Sequence, residues 1–226
     1  MTERRSPIFE PQINPELDAL IVDKGRYVEI EKGSYFVKPG DSLCEISYIY
    51  KGSSLHSIYG SSGKEKASYM LTHGWFLAEG LFSNFKEFSK ANRYSLALTQ
   101  MVLYKFNKDT YDELMEFQIF RDAMIRSLSE KLDFLRTEQE QLSIKLTKDR
   151  LKDFFTMIIN PEQITDDGWY PLTEKFTHQL IASLIGVNRV TVSRLIGELA
   201  NENFLRVLNR NIQINAEAVP EEQEYY

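Results

Sequence analysis

Arg189, Val190, Ser193 and Arg194 fall on one face of a helix that starts after Asn188, and Val192, Leu195, Ile196 and Leu199 fall on the other. Guanidiniums and a hydroxyl on an outward helix face can bond phosphates and base edges, which is chemistry suited to a duplex. Thr177 can cap a preceding helix through Leu180, Ile181 and Leu184, Gly186 ends that helix, and Asn188 caps the second, which runs to about Asn201. Two short helices joined by a tight glycine-containing turn form a helix-turn-helix, whose second helix enters the major groove by its N-terminal residues. The same spacing also fits a structural helical hairpin with a solvated face.

Charge gives a divided signal. The whole chain is acidic, at −6, which argues mildly against a DNA partner. Residues 172–214 nevertheless carry Lys175, Arg189, Arg194, Arg206 and Arg210 against Glu174, Glu198 and Glu202.

Other chemistries lack their residues. A metalloenzyme of the cupin type needs a His-x-His pair, and His56, His73 and His178 have no such spacing. No Ser–His–Asp arrangement and no phosphate-cradling glycine loop is present, so the expectation is not an enzyme. Cys44 is the sole cysteine, which excludes an internal disulfide, a four-cysteine zinc site and a cluster held by several thiolates of one chain. It reads as a buried core cysteine, with an intersubunit thiol as the alternative.

The elements that must position the motif follow from periodicity. From about Tyr27 to Phe106, β-rich runs such as Tyr48-Ile49-Tyr50, Tyr69-Met70-Leu71 and Val102-Leu103-Tyr104 alternate with turns at Gly33, Gly40, Gly52, Gly63 and Gly74. Turns at this spacing predict an antiparallel sandwich or barrel. From Lys108 to Leu146 the apolar positions Leu114, Phe117, Phe120, Met124, Leu128, Leu132, Leu135, Leu142 and Leu146 predict one long amphipathic helix with a nearly heptad seam. Pairing with a twin helix would bury the stripe, as would the core of a larger domain. A further helix carries Leu151, Phe154, Phe155 and Ile158, with Thr147 or Asp149 as its cap, a hinge near 143–148 and a close at Asn160-Pro161. Asp166-Asp167-Gly168 reads as a loop, and a strand pair ends the fold.

The 226 residues, 42% apolar and 27% charged, suffice for one large or two modest cored domains and are not those of a disordered chain. No apolar run approaches a membrane span of about 20 residues, and Met1–Pro15 has no apolar signal region, so the cytoplasm is the expected address and no membrane partner is expected.

Gly186-Val187-Asn188-Arg189-Val190-Thr191-Val192-Ser193-Arg194-Leu195, followed by Glu202-Asn203-Phe204-Leu205, resembles the DNA-binding motif of the CRP/FNR family of bacterial transcription regulators. The glycine ladder and Gly74-Trp75-Phe76…Gly80-Leu81-Phe82 resemble its effector-binding roll, and the long helix resembles its dimerisation helix. The resemblance implies an α+β fold: a β-roll of the double-stranded jelly-roll type at 1–107, a dimerisation helix and hinge at 108–146, and a winged helix-turn-helix at 147–226. It implies double-stranded DNA, a second copy of the chain and RNA polymerase as partners.

By that resemblance Arg194 reads guanine or braces the backbone. Arg189 and Ser193 contact bases or phosphates, with Asn188 and Thr191 beside them. Thr177 and Gln179 touch phosphates, and Arg210 lies at the turn of a wing over Phe204–Ile214. Family members often carry Glu where this chain has Val190. Glu accepts from cytosine N4, whereas an apolar side chain meets only a thymine methyl, so A·T is expected there and the operator is expected to be an AT-rich palindrome of the TTAAT…ATTAA type. Val190 and the Tyr225-Tyr226 terminus resemble the halorespiration-regulator branch, whose members sense chlorinated phenolic compounds.

The family's cyclic-AMP binders use a Gly-Glu pair and an Arg-Ser pair, where this chain reads Leu77-Ala78 and Lys90-Ala91, with Glu79 one residue out of step. An unneutralised phosphate in a buried pocket is costly, so cyclic AMP is not the expected ligand, although Lys90 or Arg93 could pair with another anion. With one cysteine an iron–sulfur sensor fails, and haem is not expected either, since His73, the only nearby candidate ligand, reads as a residue of the turn before Gly74. What remains is a set of Tyr69, Trp75, Phe76, Phe82, Lys90, Asn92 and Tyr94, closed by Leu128, Lys131 and Leu132, suited to a small aromatic or carboxylate-bearing effector. The rings could equally fill the roll's core. A regulator needing no ligand, set by abundance or thiol redox state, is the alternative.

Overall fold

The computed structural model describes residues 7–59, 65–82, 90–209 and 211–219. Residues 7–136 and 137–226 form two compact units, divided within a helix.

In the first unit the chain opens with strand β1 (Ile8–Phe9) and helix α1 (Pro15–Lys24). Asn14 caps α1, its side chain accepting from the Leu17 N–H at 3.2 Å, and Pro15 supplies the fixed φ of the first turn. The Asn14-Pro15 pair is a helix-start signal, yet the strand-like reading began only at Tyr27 and missed this helix.

The roll follows: β2 (Arg26–Ile30), β3 (Tyr35–Val37), β4 (Ile46–Lys51), β5 (Ser54–Tyr59), β6 (Glu65–Leu71), β7 (Phe76–Leu77), β8 (Tyr94–Ala97) and β9 (Met101–Phe106). One sheet has the order β1-β6-β5-β8-β3, the other β2-β9-β4-β7. The three β-rich runs lie in β4, β6 and β9. Gly33, Gly40, Gly52 and Gly74 all have positive φ, while Gly63 lies outside the described residues. Gly74 is doubly required, because a Cβ there would sit 2.3 Å from the Gln12 carbonyl. The β1–α1 segment therefore lies flush against the roll, where the Gln12 N–H donates to the His73 carbonyl at 2.9 Å.

Two clusters fill this unit. One joins Ile49, Leu103 and Met101 of one sheet to Tyr69, Leu71 and Ala97 of the other, with Phe9, Trp75 and Phe134. The second joins Leu17 and Ile21 of α1 to Tyr48, Phe76, Phe106, Leu114 and Phe120. Each fully buried large apolar side chain contributes roughly 1.5–3 kcal/mol.

The single helix expected over 108–146 is two. Helix α2 (Lys108–Leu114) stops at Met115, and α3 (Gln118–Ile144) begins three residues on. No Pro or Gly makes the break. Leu114, Phe120 and Met124 are instead held in the second cluster, and Arg121 Nη1 donates to the Met115 carbonyl at 2.5 Å. Among the described side chains of α3 the exposed apolar stripe is Ile125, Leu128, Leu132 and Leu135, and the Leu142 side chain, expected on it, lies outside the described residues. Leu146 is not on the stripe: it is extended, exposed, and precedes α4 (Thr147–Met157), in which Thr147 is the first helical residue rather than a cap. Cys44 is exposed, not in the core, because it lies in the irregular stretch before β4.

In the second unit Leu151, Phe154, Phe155 and Ile158 are buried as their spacing predicted. After Gly168 come β10 (Trp169–Pro171), α5 (His178–Ile185), α6 (Arg189–Asn201), β11 (Leu205–Leu208) and β12 (Asn211–Asn215). The sheet order is β10-β12-β11, so the expected strand pair is a triplet. No single helix among the described residues is long and apolar enough to cross a membrane.

Candidate nucleic-acid interface

Local rules build the α5–α6 pair. Thr177 Oγ1 accepts from the Leu180 N–H at 3.1 Å and starts α5. Gly186 adopts the left-handed conformation (φ 73°, ψ 35°), and the Val187 N–H returns to the Ala182 carbonyl at 3.0 Å, closing the helix. Asn188 Oδ1 accepts from both the Thr191 N–H (2.7 Å) and the Thr191 hydroxyl (2.9 Å) to start α6. The axes bend by 102° across this turn. Val192, Leu195, Ile196 and Leu199 are buried, which leaves the opposite side of α6 outward.

That side carries the expected set. Arg189, Val190, Ser193 and Arg194 are exposed, as are Thr177 and Gln179 on α5. Val190, an apolar side chain, is 78% exposed on this face. The bonds between Asn188 and Thr191 fix the start of α6. Arg194 forms an i,i+4 ion pair with Glu198, whose carboxylate is also 3.8 Å from Lys148. His178 Nδ1 and Ser193 Oγ share a 2.9 Å hydrogen bond that links the start of α5 to the outward face of α6.

The hairpin of β11 and β12 turns at Asn209, which has φ 50°. Arg210, expected at this turn, lies outside the described residues. Arg206 is not presented outward. Its guanidinium bonds both oxygens of Asp167 (2.5 and 3.1 Å), its Nε donates to Gln213 (2.6 Å), and it stacks 4.6 Å over Trp169. Arg206, then the Thr165 hydroxyl, hold the Asp167 carboxyl down to about 2. This lock was missed in the sequence, although Asp167-Gly168-Trp169 stood there to be paired with Arg206.

In the roll, the structure gathers a polar group in the apolar interior. Lys131 Nζ donates to the Phe76 carbonyl at 2.5 Å and to the Glu79 carboxylate, and Ser127 donates to the same carboxylate at 2.7 Å. Ala78, at φ 63°, turns the chain just before Glu79. Glu79, read as out of step, is thus the buried acid of the roll. Burial pushes the Lys131 ammonium down, while Glu79 pulls it back up. His56, read only as a failed metal ligand, is buried between the Ser54 (2.9 Å) and Ser95 (3.0 Å) hydroxyls. Burial, then the charges of Lys131 and Arg93, hold its imidazole well below the ordinary range. Arg93 Nη1 donates to the Tyr69 hydroxyl at 2.5 Å.

The expected aromatic set is split. Tyr69 and Trp75 share the cluster that holds Phe134, whereas Phe76 and Phe82 pack on the other. Trp75 Nε1 donates to the Glu10 carbonyl at 2.8 Å, and Tyr94 packs on Tyr35. Lys90 and Asn92 are exposed, and Leu128 faces outward with the α3 stripe. Of the ten, Tyr69 bonds Arg93 and Lys131 bonds Glu79, while Leu132 is exposed with Leu128. Among the described residues no group of three His, Cys, Asp or Glu side chains could hold a metal ion.

A helix-turn-helix with an exposed reading face and a three-stranded wing defines a DNA-binding module. Residues 149–218 match the Crp-like helix-turn-helix domain. The chain is 24% identical over 192 residues to the global nitrogen regulator of Synechococcus elongatus, covering 82% of this chain and 84% of that one. It is 25% identical over 211 residues to the cAMP-activated global transcriptional regulator CRP of Salmonella typhimurium, covering 91% and 96%. The c-di-GMP responsive regulator CLP of Xanthomonas campestris has the same fold, with a TM-score of 0.75 at 17% identity over 89% of this chain and 99% of that one. So has CprK complexed with OCPA, with a TM-score of 0.73 at 19% identity over 92% and 94%. Over most of its length the chain is similar to transcription regulators of the CRP/FNR family, and residues 149–218 carry the match to the Crp-like helix-turn-helix domain.

Proposed function

We propose that this chain acts in the cytoplasm as a homodimer that binds an AT-rich palindromic operator under control of a small organic effector, and that it contacts RNA polymerase there. One observation carries the operator reading: the outward face of α6 presents Arg189, Ser193 and Arg194 around an exposed valine. Valine suits a thymine methyl and leaves cytosine N4 without an acceptor. The stripe of Ile125, Leu128, Leu132 and Leu135 supports the dimer, in which the recognition helices would stand about 34 Å apart, one turn of DNA. In vitro selection from a random duplex pool tests the proposal. Recovery of a palindrome with A·T at the Val190 position supports it, and recovery of G·C there overturns the base assignment.

The effector reading rests on the roll interior, where Lys131 bonds the Glu79 carboxylate and a second cation, Arg93, bonds the hydroxyl of Tyr69, whose ring packs on Phe134. That surplus of positive charge suits an aromatic acid, halogenated ones included. Glu79 is already bonded to Lys131 and Ser127, which disfavours cyclic AMP as its partner. The same ion pair favours a second reading, a regulator that needs no ligand, since it ties α3 to the segment after β7 by itself. The exposed Cys44 leaves thiol control as a variant of it. Titration calorimetry with chlorinated phenylacetic acids separates the two: a 1:1 isotherm that shifts operator affinity supports the effector, and the absence of heat supports the ligand-free form.

A further inference from the structure

The bond between His178 and Ser193 joins the two helices of the motif on the side that faces the duplex. It rests on the operator reading and deepens it. A serine in the middle of a helix ordinarily turns its hydroxyl back to the carbonyl four residues earlier, here that of Arg189. Such a hydroxyl is spent on its own backbone. In this chain Ser193 Oγ lies 2.9 Å from His178 Nδ1, on a helix whose N-cap, Thr177, immediately precedes the histidine. Two fixed backbones therefore hold the two partners, and the hydroxyl points across the face.

We propose that His178 is a positioning residue for base reading: it accepts the Ser193 proton and so leaves the hydroxyl oxygen as an acceptor toward the groove. A hydroxyl has one donor and two acceptor sites, and with the donor engaged only lone pairs remain. The bases that present a matching N–H in the major groove are adenine, through N6, and cytosine, through N4. The base at the Ser193 position is therefore an adenine or a cytosine on the contacted strand. Guanine and thymine, which offer acceptors there, are turned away by lone-pair repulsion. His178 acts through Ser193 and not as a phosphate contact.

The test is a double-mutant cycle on the full-length chain, using the duplex that selection with the unaltered protein recovers. His178→Ala and Ser193→Ala are each expected to weaken binding about 3- to 10-fold, and the double variant to be no weaker than Ser193→Ala alone, because coupled residues are non-additive. Selection with His178→Ala is expected to lose the adenine or cytosine preference at one base pair per half-site and keep the rest. His178→Arg, which reaches phosphate but accepts no proton, is expected to restore affinity without restoring that preference. Additive losses, an unchanged base profile in His178→Ala, or a preference restored by Arg would each overturn the proposal. Thermal melts of each variant show that the fold is intact. Arg194→Ala is the control for the operator reading: if it leaves affinity unchanged, that reading fails, whereas additivity with a responsive Arg194 sinks only the role of His178.

Discussion

In the proposed complex, Val190 and Arg194 decide which bases the outward face of α6 prefers. Val190→Glu adds the acceptor that cytosine N4 needs, and selection with that variant should move one base pair per half-site from A·T to G·C. Arg194→Ala removes a donor fork worth about 1–3 kcal/mol of discrimination, so anisotropy titration should show affinity for the selected duplex falling roughly 5- to 150-fold. Arg194 must leave Glu198 to reach a base, and such exposed pairs are worth only about 0.2–1 kcal/mol. Glu198→Gln should accordingly raise affinity a few-fold in the same assay. His56 makes the roll sensitive to acid. Its folded imidazole resists protonation, while the unfolded chain takes up a proton near 6.5. Stability is full above that value and is lost as pH falls below it, by up to ~1.4 kcal/mol per pH unit. Urea midpoints at pH 7 and 5.5 should differ more in the wild type than in His56→Gln.

At the scale of the element, α3 serves two surfaces at once. Phe120, Met124 and Phe134 fix it to the roll, and the stripe from Ile125 to Leu135 stays exposed, where the proposed second copy would pack. Leu132 is 70% exposed, so Leu132→Lys should leave the fold intact, convert a sedimenting dimer to a monomer and abolish binding to a palindrome. Lys131→Met attacks the other side. It strands the Glu79 carboxylate in the interior, at a cost of about 3–5 kcal/mol, and adding Glu79→Gln should recover much of that in a denaturation series. The α2–α3 break escaped sequence reading because Leu114, Phe117 and Phe120 keep an unbroken step of three through it. Only the cluster that claims Leu114 and Phe120 shows where the helix must stop. The α5–α6 pair was legible because its starts and stops are local: Thr177, Gly186 and Asn188 each act on backbone within a few residues.

For the whole molecule, net charge and function point in opposite directions. A chain at −6 that binds duplex must do so through one face, and phosphate contacts then release counterions. Affinity should fall steeply and log-linearly with salt, and a flat dependence would contradict binding by that face. The same separation of scales governs what the sequence reveals. The reading face of α6 is written in consecutive residues, whereas the polar group of the roll is assembled from Ser54, His56, Glu79, Arg93, Ser127 and Lys131, which no local pattern unites. The wing lies between these cases: its hairpin was legible, but β10 and the clasp of Asp167, Trp169 and Arg206 were not. That clasp has a consequence for how the protein meets its target. A hairpin already stiff in free solution surrenders little conformational freedom on contact, so its share of the encounter is rigid docking rather than folding against the double helix.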